Sequence, residues 1–165
     1  MKRLILMRHA KSDWGNPGLP DHARPLNKRG RRAATALGHW LREAGPLPDD
    51  ILCSTAARAQ ETCARLALPL PPDLRDSLYM AEPPAMLAAL RQAHGDTVLM
   101  IGHNPGIAAF AARLVTSPPA HDRFDDYPTG ATLIAEFDID DWTDLQERTG
   151  RAVGFITPRA LTEGQ

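Results

Sequence analysis

Two short apolar runs in this chain each end on a histidine. The first, Lys2-Arg3-Leu4-Ile5-Leu6-Met7-Arg8-His9, opens the sequence; the second, Thr97-Val98-Leu99-Met100-Ile101-Gly102-His103-Asn104-Pro105-Gly106, follows about a hundred residues later. Runs of this kind suit strands of a parallel sheet buried on both faces. The carboxyl ends of such strands share one edge, and ligands bind in the crevice there. Arg8 offers a planar fork of donors that matches phosphate oxygens and keeps its charge. A neutral imidazole beside it can attack phosphorus, provided an acceptor holds its other ring nitrogen and fixes the tautomer. The chemistry these residues suit is capture and transfer of an anion.

Arg58 adds to this set. It falls at the start of a helix expected after the second strand, in Cys53-Ser54-Thr55-Ala56-Ala57-Arg58-Ala59-Gln60-Glu61-Thr62, where free backbone N–H groups and the helix dipole already favour anions. Taken alone, Arg58 reads as a solvated helix-face arginine and His103 as a structural histidine capping a strand. They reinforce each other because each lands at the same sheet edge. The stretch after the first strand contributes Lys11-Ser12-Asp13 and Arg24, for which solvated loop positions are the plain alternative.

The elements that would position these groups can be read in order. A polar stretch from Ala10 to Leu26, rich in Gly, Pro and Asp, is long for a loop inside a compact domain, a sign of function or mobility. Asn27 can cap a helix running to about Ala44, stopped by Gly45-Pro46. Asp50 to Cys53 reads as a short buried strand, and Ser54 or Thr55 can cap a helix from Ala56 to about Leu68. An extended piece near Leu74 precedes a helix that Pro83-Pro84 starts and Gly95 closes. The strand 97–101 and a helix to about Val115, with Asn104 and Pro105 at its cap and first turn, come next. Polar loops at 117–128 and 138–150 flank two final strands, about 131–137 and 151–157. Alternating strands and helices with an antiparallel ending predict an α/β protein: a three-layer α/β/α sandwich with a mostly parallel mixed sheet, forming one domain over residues 1–165.

Composition narrows the partners. The 165 residues suffice for a substantial core, and 43% hydrophobic with 24% charged content is ordinary for a globular protein. A formal net charge of −1 gives no reason to expect nucleic acid or an anionic membrane as a bulk partner. Cys53 and Cys63, the two cysteines, lack CxxC or zinc spacing and fit buried thiols in a reducing compartment. No run reaches transmembrane length, and the N-terminal apolar run is too short for a signal peptide, so a cytoplasmic location is expected.

Four stretches together resemble the histidine phosphatase superfamily: Arg8-His9-Ala10-Lys11-Ser12, Arg24-Pro25-Leu26-Asn27-Lys28-Arg29-Gly30, Ser54 to Thr62, and Gly102-His103-Asn104-Pro105-Gly106. Within it they are most similar to the small SixA-type phosphohistidine phosphatases. The likeness runs in order from residue 3 to about 157. It implies the histidine phosphatase (phosphoglycerate mutase-like) fold, with His9 as nucleophile and Arg8, Arg58 and His103 forming the phosphate pocket. Ser12 and Arg24 join as substrate-binding candidates. The superfamily's usual Arg-His-Gly is here Arg-His-Ala, the smallest of changes. The larger mutase relatives have a long insertion and a clear acidic proton donor, and this chain has no room for the insertion. Glu82 is the nearest candidate by position, with Asp13 and Asp21 competing.

The implied activity is a metal-independent phosphatase with no cofactor, acting on a phosphorylated protein or small molecule through a covalent phosphohistidine on His9. A weak or absent acid favours a phosphoramidate such as phosphohistidine, because an alkoxide is a far poorer leaving group. A phosphate-binding module with little turnover, a small-molecule phosphomonoesterase and a mutase are the competing readings; length disfavours the last.

Overall fold

The computed structural model describes residues 1–162, so the last three residues of the expected 1–165 unit lie outside the described residues. Six strands form one sheet: β1 (Lys2–Arg8), β2 (Asp50–Ser54), β3 (Asp73–Arg75), β4 (Thr97–Gly102), β5 (Thr132–Phe137) and β6 (Arg151–Ile156), in the order β3-β2-β4-β1-β5-β6. The first four in that order are mutually parallel; β5 and β6 run antiparallel to their neighbours. The sheet is therefore mixed and mostly parallel, as the alternation of elements predicts.

The central strands alternate strictly between two cores. Leu4, Leu6, Val98 and Met100 pack with Met86, Leu90, Ile107 and Phe110, which belong to α3 (Pro83–Arg91) and α4 (Gly106–Leu114). Ile5, Met7, Leu99 and Ile101 pack with Leu37, Leu41, Cys63 and Leu66, from α1 (Lys28–Glu43) and α2 (Ala57–Leu66). Side chains that alternate faces with period two, both faces covered by helices, explain why these strands read as unbroken apolar runs. The result is the three-layer sandwich.

Local chemistry sets the helix ends. Asn27 caps α1 as expected, its side-chain oxygen accepting from Gly30 N at 2.8 Å. The helix α2 begins one residue later than expected, and Ala56, not Ser54 or Thr55, occupies its N-cap with no side-chain cap bond. It ends at Leu66 because Ala67 turns left-handed (φ 53°) ahead of Pro69. A five-residue helix, α5 (Pro158–Thr162), which the sequence reading did not anticipate, lies on α1.

The stretch from Ala10 to Leu26 is held, not loose. Ser12 bridges Leu26, Asp13 N donates to Pro25 O at 2.8 Å, and Asn27 N donates to Lys11 O at 3.0 Å. Gly30 permits this closure: a Cβ there would sit 2.0 Å from the Lys11 carbonyl oxygen. Folded back in this way, the stretch presents a short 3-10 turn, Asp21–Ala23, to the first turns of α2.

Candidate active site

Strand register brings the two histidines together. Arg8 pairs with Gly102 across β1 and β4, so the next residue on each strand, His9 and His103, emerge side by side with ring centroids 5.1 Å apart. His9 N donates to Gly102 O at 3.1 Å, and Gly130 N donates to the carbonyls of Arg8 and His9 at 3.1 and 3.0 Å. The strand end bearing the candidate nucleophile is thus fixed on both sides.

The protonation state of His9 follows from its partners. Its Nδ1 lies 2.7 Å from the Ala10 carbonyl oxygen, which can only accept, so Nδ1 carries the hydrogen. The other nitrogen, Nε2, accepts from Arg58 Nε at 3.3 Å. Burial pushes the imidazole pKa down to about 4, with the Arg8 and Arg58 charges adding to the effect against the Ala10 carbonyl. Near neutral pH, His9 is an uncharged imidazole with a lone pair on Nε2. His103 behaves alike: burial first, then His9 and Arg58, bring it to about 3. Its Nε2 lies 2.7 Å from the Ser54 hydroxyl, while its Nδ1 is buried without a partner among the described residues.

Both arginines are anchored by the backbone of other segments. Arg8 donates to Tyr127 O at 3.2 Å, and Tyr127 is itself fixed because its buried hydroxyl donates to Leu6 O at 2.5 Å. Burial and the neighbouring Arg58 lower the Arg8 pKa, the repulsion expected of two cations facing one site. Arg58 is 5% exposed and donates to the Asp21 carbonyl at 2.8 Å and to Asp21 Oδ2 at 3.0 Å. Tyr79 donates to the same Oδ2 at 2.5 Å. These contacts, Tyr79 foremost and Arg58 next, hold the Asp21 carboxyl below the usual carboxylate range against the effect of burial.

Of the other candidates, Arg24 is buried. It donates to Asp13 O at 3.0 Å, lies 4.0 Å from Asp21 Oδ1, and its guanidinium carbon sits 3.9 Å from the Trp14 ring centroid. Ser12 is buried at its bridge to Leu26, and no hydrogen bond among the described residues ties its hydroxyl to the histidines. Glu82 is exposed at the N-cap of α3, with no side-chain cap bond. Its backbone nevertheless abuts the segment after His103: a Cβ on Gly106 would lie 1.8 Å from Ala81 O and 3.6 Å from the Glu82 Cα. The structure brings His9, Arg8, Arg58 and His103 into one cluster, connects Arg24 to it through Asp21, and leaves Ser12 and Glu82 without a direct side-chain bond to it.

Three residues were not singled out for the site from sequence. Tyr79 holds Asp21 and packs edge-on against His103, centroids 5.5 Å apart. Ser54 serves His103, which is why it is not a plain helix cap, although its hydroxyl also accepts from Ala56 N at 3.2 Å. Thr62 accepts from Ala10 N at 3.0 Å and donates to Arg58 O at 2.7 Å, joining the end of β1 to α2.

Among the described residues, the buried side-chain nitrogens without a partner are Arg8 Nε, Arg24 Nε and His103 Nδ1. Buried donors left unpaired cost about 1–3 kcal/mol each. All three belong to the predicted site: the two arginine nitrogens are donors that an oxyanion would satisfy, and His103 Nδ1 joins them in the tautomer in which the Ser54 hydroxyl donates to Nε2. No group of three or more His, Cys, Asp or Glu side chains able to hold a metal occurs among the described residues.

The chain is also similar to known proteins. The sequence pattern of the histidine phosphatase superfamily (branch 1) matches residues 4–79. A Mycobacterium tuberculosis protein of uncharacterised function is 35% identical over 161 residues, 93% of this chain and 100% of its own length. A candidate phosphohistidine phosphatase SixA from Nakamurella multipartitia superposes with a TM-score of 0.83 at 32% identity, covering 95% of this chain and 96% of that one. The protein histidine phosphatase SixA complexed with tungstate shares the fold, with a TM-score of 0.78 at 21% identity over 97% of this chain and 99% of that one.

Proposed function

Because the chain belongs to the histidine phosphatase superfamily and is a phosphatase of the SixA type, we propose that it hydrolyses phosphohistidine on a protein, through a covalent intermediate on His9, without metal or cofactor. The observation that carries this reading is the state of His9. Ala10 fixes the hydrogen on Nδ1, burial keeps the ring neutral, and the lone pair on Nε2 lies at the guanidinium that would hold the phosphoryl oxygens.

The steps follow from that state. The substrate's phosphoryl oxygens take hydrogen bonds from Arg8, Arg58 and His103. The Nε2 lone pair attacks phosphorus in line as the bond from phosphorus to the substrate nitrogen breaks. The ring becomes cationic, its Nδ1–H still donating to the Ala10 carbonyl. A substrate imidazole already protonated on its other nitrogen leaves neutral and needs no acid. Water then attacks phosphorus, the P–N bond to His9 breaks, the ring regains its lone pair and inorganic phosphate departs. Phosphoryl transfer of this kind asks for positioning and charge neutralisation, which two arginines supply. The competing reading as a binding module is disfavoured because a buried neutral histidine with a fixed tautomer is a reactive group, not needed for holding phosphate. Two free buried cysteines fit a reducing, cytoplasmic setting, and no helix among the described residues is long and apolar enough to cross a membrane.

Rapid quench of the enzyme during turnover of a histidine-phosphorylated peptide tests this. Acid-labile, base-stable phosphate on His9 is expected, absent in His9→Ala. An active enzyme that yields no such label removes His9 as nucleophile, and hydrolysis of alkyl phosphates in preference to the phosphopeptide removes the substrate assignment.

A further inference from the structure

A large open groove lies away from the His9 cluster. It has a volume of about 2040 Å³, follows α1 and is walled by α5 and by residues of the 121–129 segment. Drug-sized ligands occupy about 300–1,000 Å³, so this hollow suits a length of polymer. From Arg29 to Glu43, α1 spans about 21 Å at 1.5 Å per residue, the reach of about six or seven extended residues.

Cations dominate the groove lining, where Arg65 and Arg123 are paired with Glu61 and Asp126 and Arg159 stands on α5. Lys11, Arg29, Arg31 and Arg32 line it at the end nearest the candidate site, and Lys11 is two residues from His9. None of the four has a carboxylate partner among the described residues. Among the described residues, the side chain of Arg31 donates one hydrogen bond, to the Leu26 carbonyl at 3.0 Å. The first turn of α1 holds no acidic residue, so these cations stand at the positive end of the helix dipole, an unfavourable placement that an anionic partner reverses. Farther along, the lining turns apolar and mixed: Ala36, half-buried Trp40 and Leu161, with Glu43 at the far end.

We infer that this groove docks a segment of the phosphorylated protein itself, acidic close to the phosphoryl-bearing residue and apolar farther from it. The inference rests on the reading that the phosphoryl group arrives on a protein. A nucleic acid fits less well, because a uniform polyanion meets the carboxylates of Glu43 and Asp122 in the same groove.

Fluorescence anisotropy with the full chain tests it, using a labelled, unphosphorylated peptide of four acidic then four aliphatic residues. Binding about tenfold tighter than that of the same peptide with glutamines for the acids is expected, weakening as salt rises. The double variant Arg29→Glu/Arg32→Glu places acids where the helix dipole favours them and should fold. It is expected to lose the preference to within about twofold while turning over p-nitrophenyl phosphate at the wild-type rate. Equal binding of the two peptides, a preference that survives in the variant, or tighter arginine-dependent binding of a single-stranded oligonucleotide would each overturn the inference. The probe carries no phosphoryl group, so its result stands apart from any failure to hydrolyse phosphohistidine.

Discussion

Arg58 Nε donates a hydrogen bond to His9 Nε2 at 3.3 Å, so the group proposed to bind the phosphoryl oxygens rests on the nitrogen proposed to attack phosphorus. Attack requires that bond to be exchanged for one to a phosphoryl oxygen. Arg58 can make the exchange without losing its place, because its two terminal nitrogens stay on Asp21. The Asp21 carboxylate is in turn held by Tyr79. The site is a relay of positions, from Tyr79 through Asp21 and Arg58 to His9.

Replacing Arg58 with alanine is expected to lower kcat/KM by about 10²–10³-fold, the usual effect of removing one preorganised donor to a transition-state oxyanion. Lysine should not restore it, since a single ammonium cannot hold Asp21 and the phosphoryl group in a fixed planar fork. Kinetics on Arg58→Ala and Arg58→Lys, with thermal melts to confirm folding, decide the matter; wild-type activity in a folded Arg58→Ala protein removes the residue from the site.

Much of this arrangement is legible in the sequence, and the part that is not has a physical reason. Strands buried on both faces write themselves as apolar runs, so β1 and β4 and the edge carrying His9 and His103 can be read directly. The Asn27 cap of α1 is local and equally plain. The bond from Arg58 to Asp21 spans 37 positions and that from Tyr79 spans 58, and no periodicity encodes such a pairing. Ser54 misleads because one hydroxyl has two candidate uses, and only the packed structure shows it committed to His103. The short α5 covers α1 through tertiary contact, without the length that would mark it in sequence.

The two buried histidines make stability depend on pH. Their folded pKa values, about 4 for His9 and about 3 for His103, lie below the unfolded value of 6.5. Between those limits the unfolded chain binds protons that the native protein does not. Stability contributed by the neutral rings is therefore complete above about pH 6.5 and is lost as pH falls toward 4 and then 3, by up to about 1.4 kcal/mol per pH unit for each histidine. Urea melts from pH 7 to 4.5 should show the decline, and His9→Gln/His103→Gln should flatten it. NMR titration should find neither ring protonating above about pH 5.

Tyr79→Phe removes the strongest influence on the Asp21 carboxyl and should raise its pKa, read by NMR. The Asp21 side chain is 43% exposed, so its effect on global stability should be within about 1 kcal/mol. The kinetic effect should fall on KM for phosphorylated substrate, because Arg58 loses part of its support while His9 keeps its tautomer. An unchanged Asp21 pKa would break the proposed chain of positions at its first link.

Gly30→Ala is expected to damage both fold and site. The new Cβ would lie 2.0 Å from the Lys11 carbonyl oxygen, a backbone atom with no easy escape. Overpacking of this kind typically costs about 1–3 kcal/mol, which lowers Tm by about 2–4 °C per kcal/mol for a chain of this size. Because Lys11 follows Ala10, whose carbonyl fixes the His9 tautomer, kcat should fall even where the protein remains folded. Calorimetry and turnover of p-nitrophenyl phosphate on the same preparation measure the two effects separately.

Glu82 tests the proton donor. It is exposed at the start of α3, with its backbone beside the segment that follows His103. A general acid matters in proportion to how poorly the leaving group departs on its own. Alkyl phosphates release an alkoxide and need the proton; a protonated imidazole or a nitrophenolate does not. Glu82→Gln is therefore expected to slow alkyl phosphates by about 10²-fold, the lower end of general acid catalysis, and to leave histidine-phosphorylated peptide and p-nitrophenyl phosphate within about twofold of wild type. Equal loss on all three substrates would make Glu82 a structural or binding residue instead. No loss on any would move the acid role to Asp13 or Asp21, or to solvent water. Asp21, already ionised and committed to Arg58 and Tyr79, would have to take up a proton before it could give one.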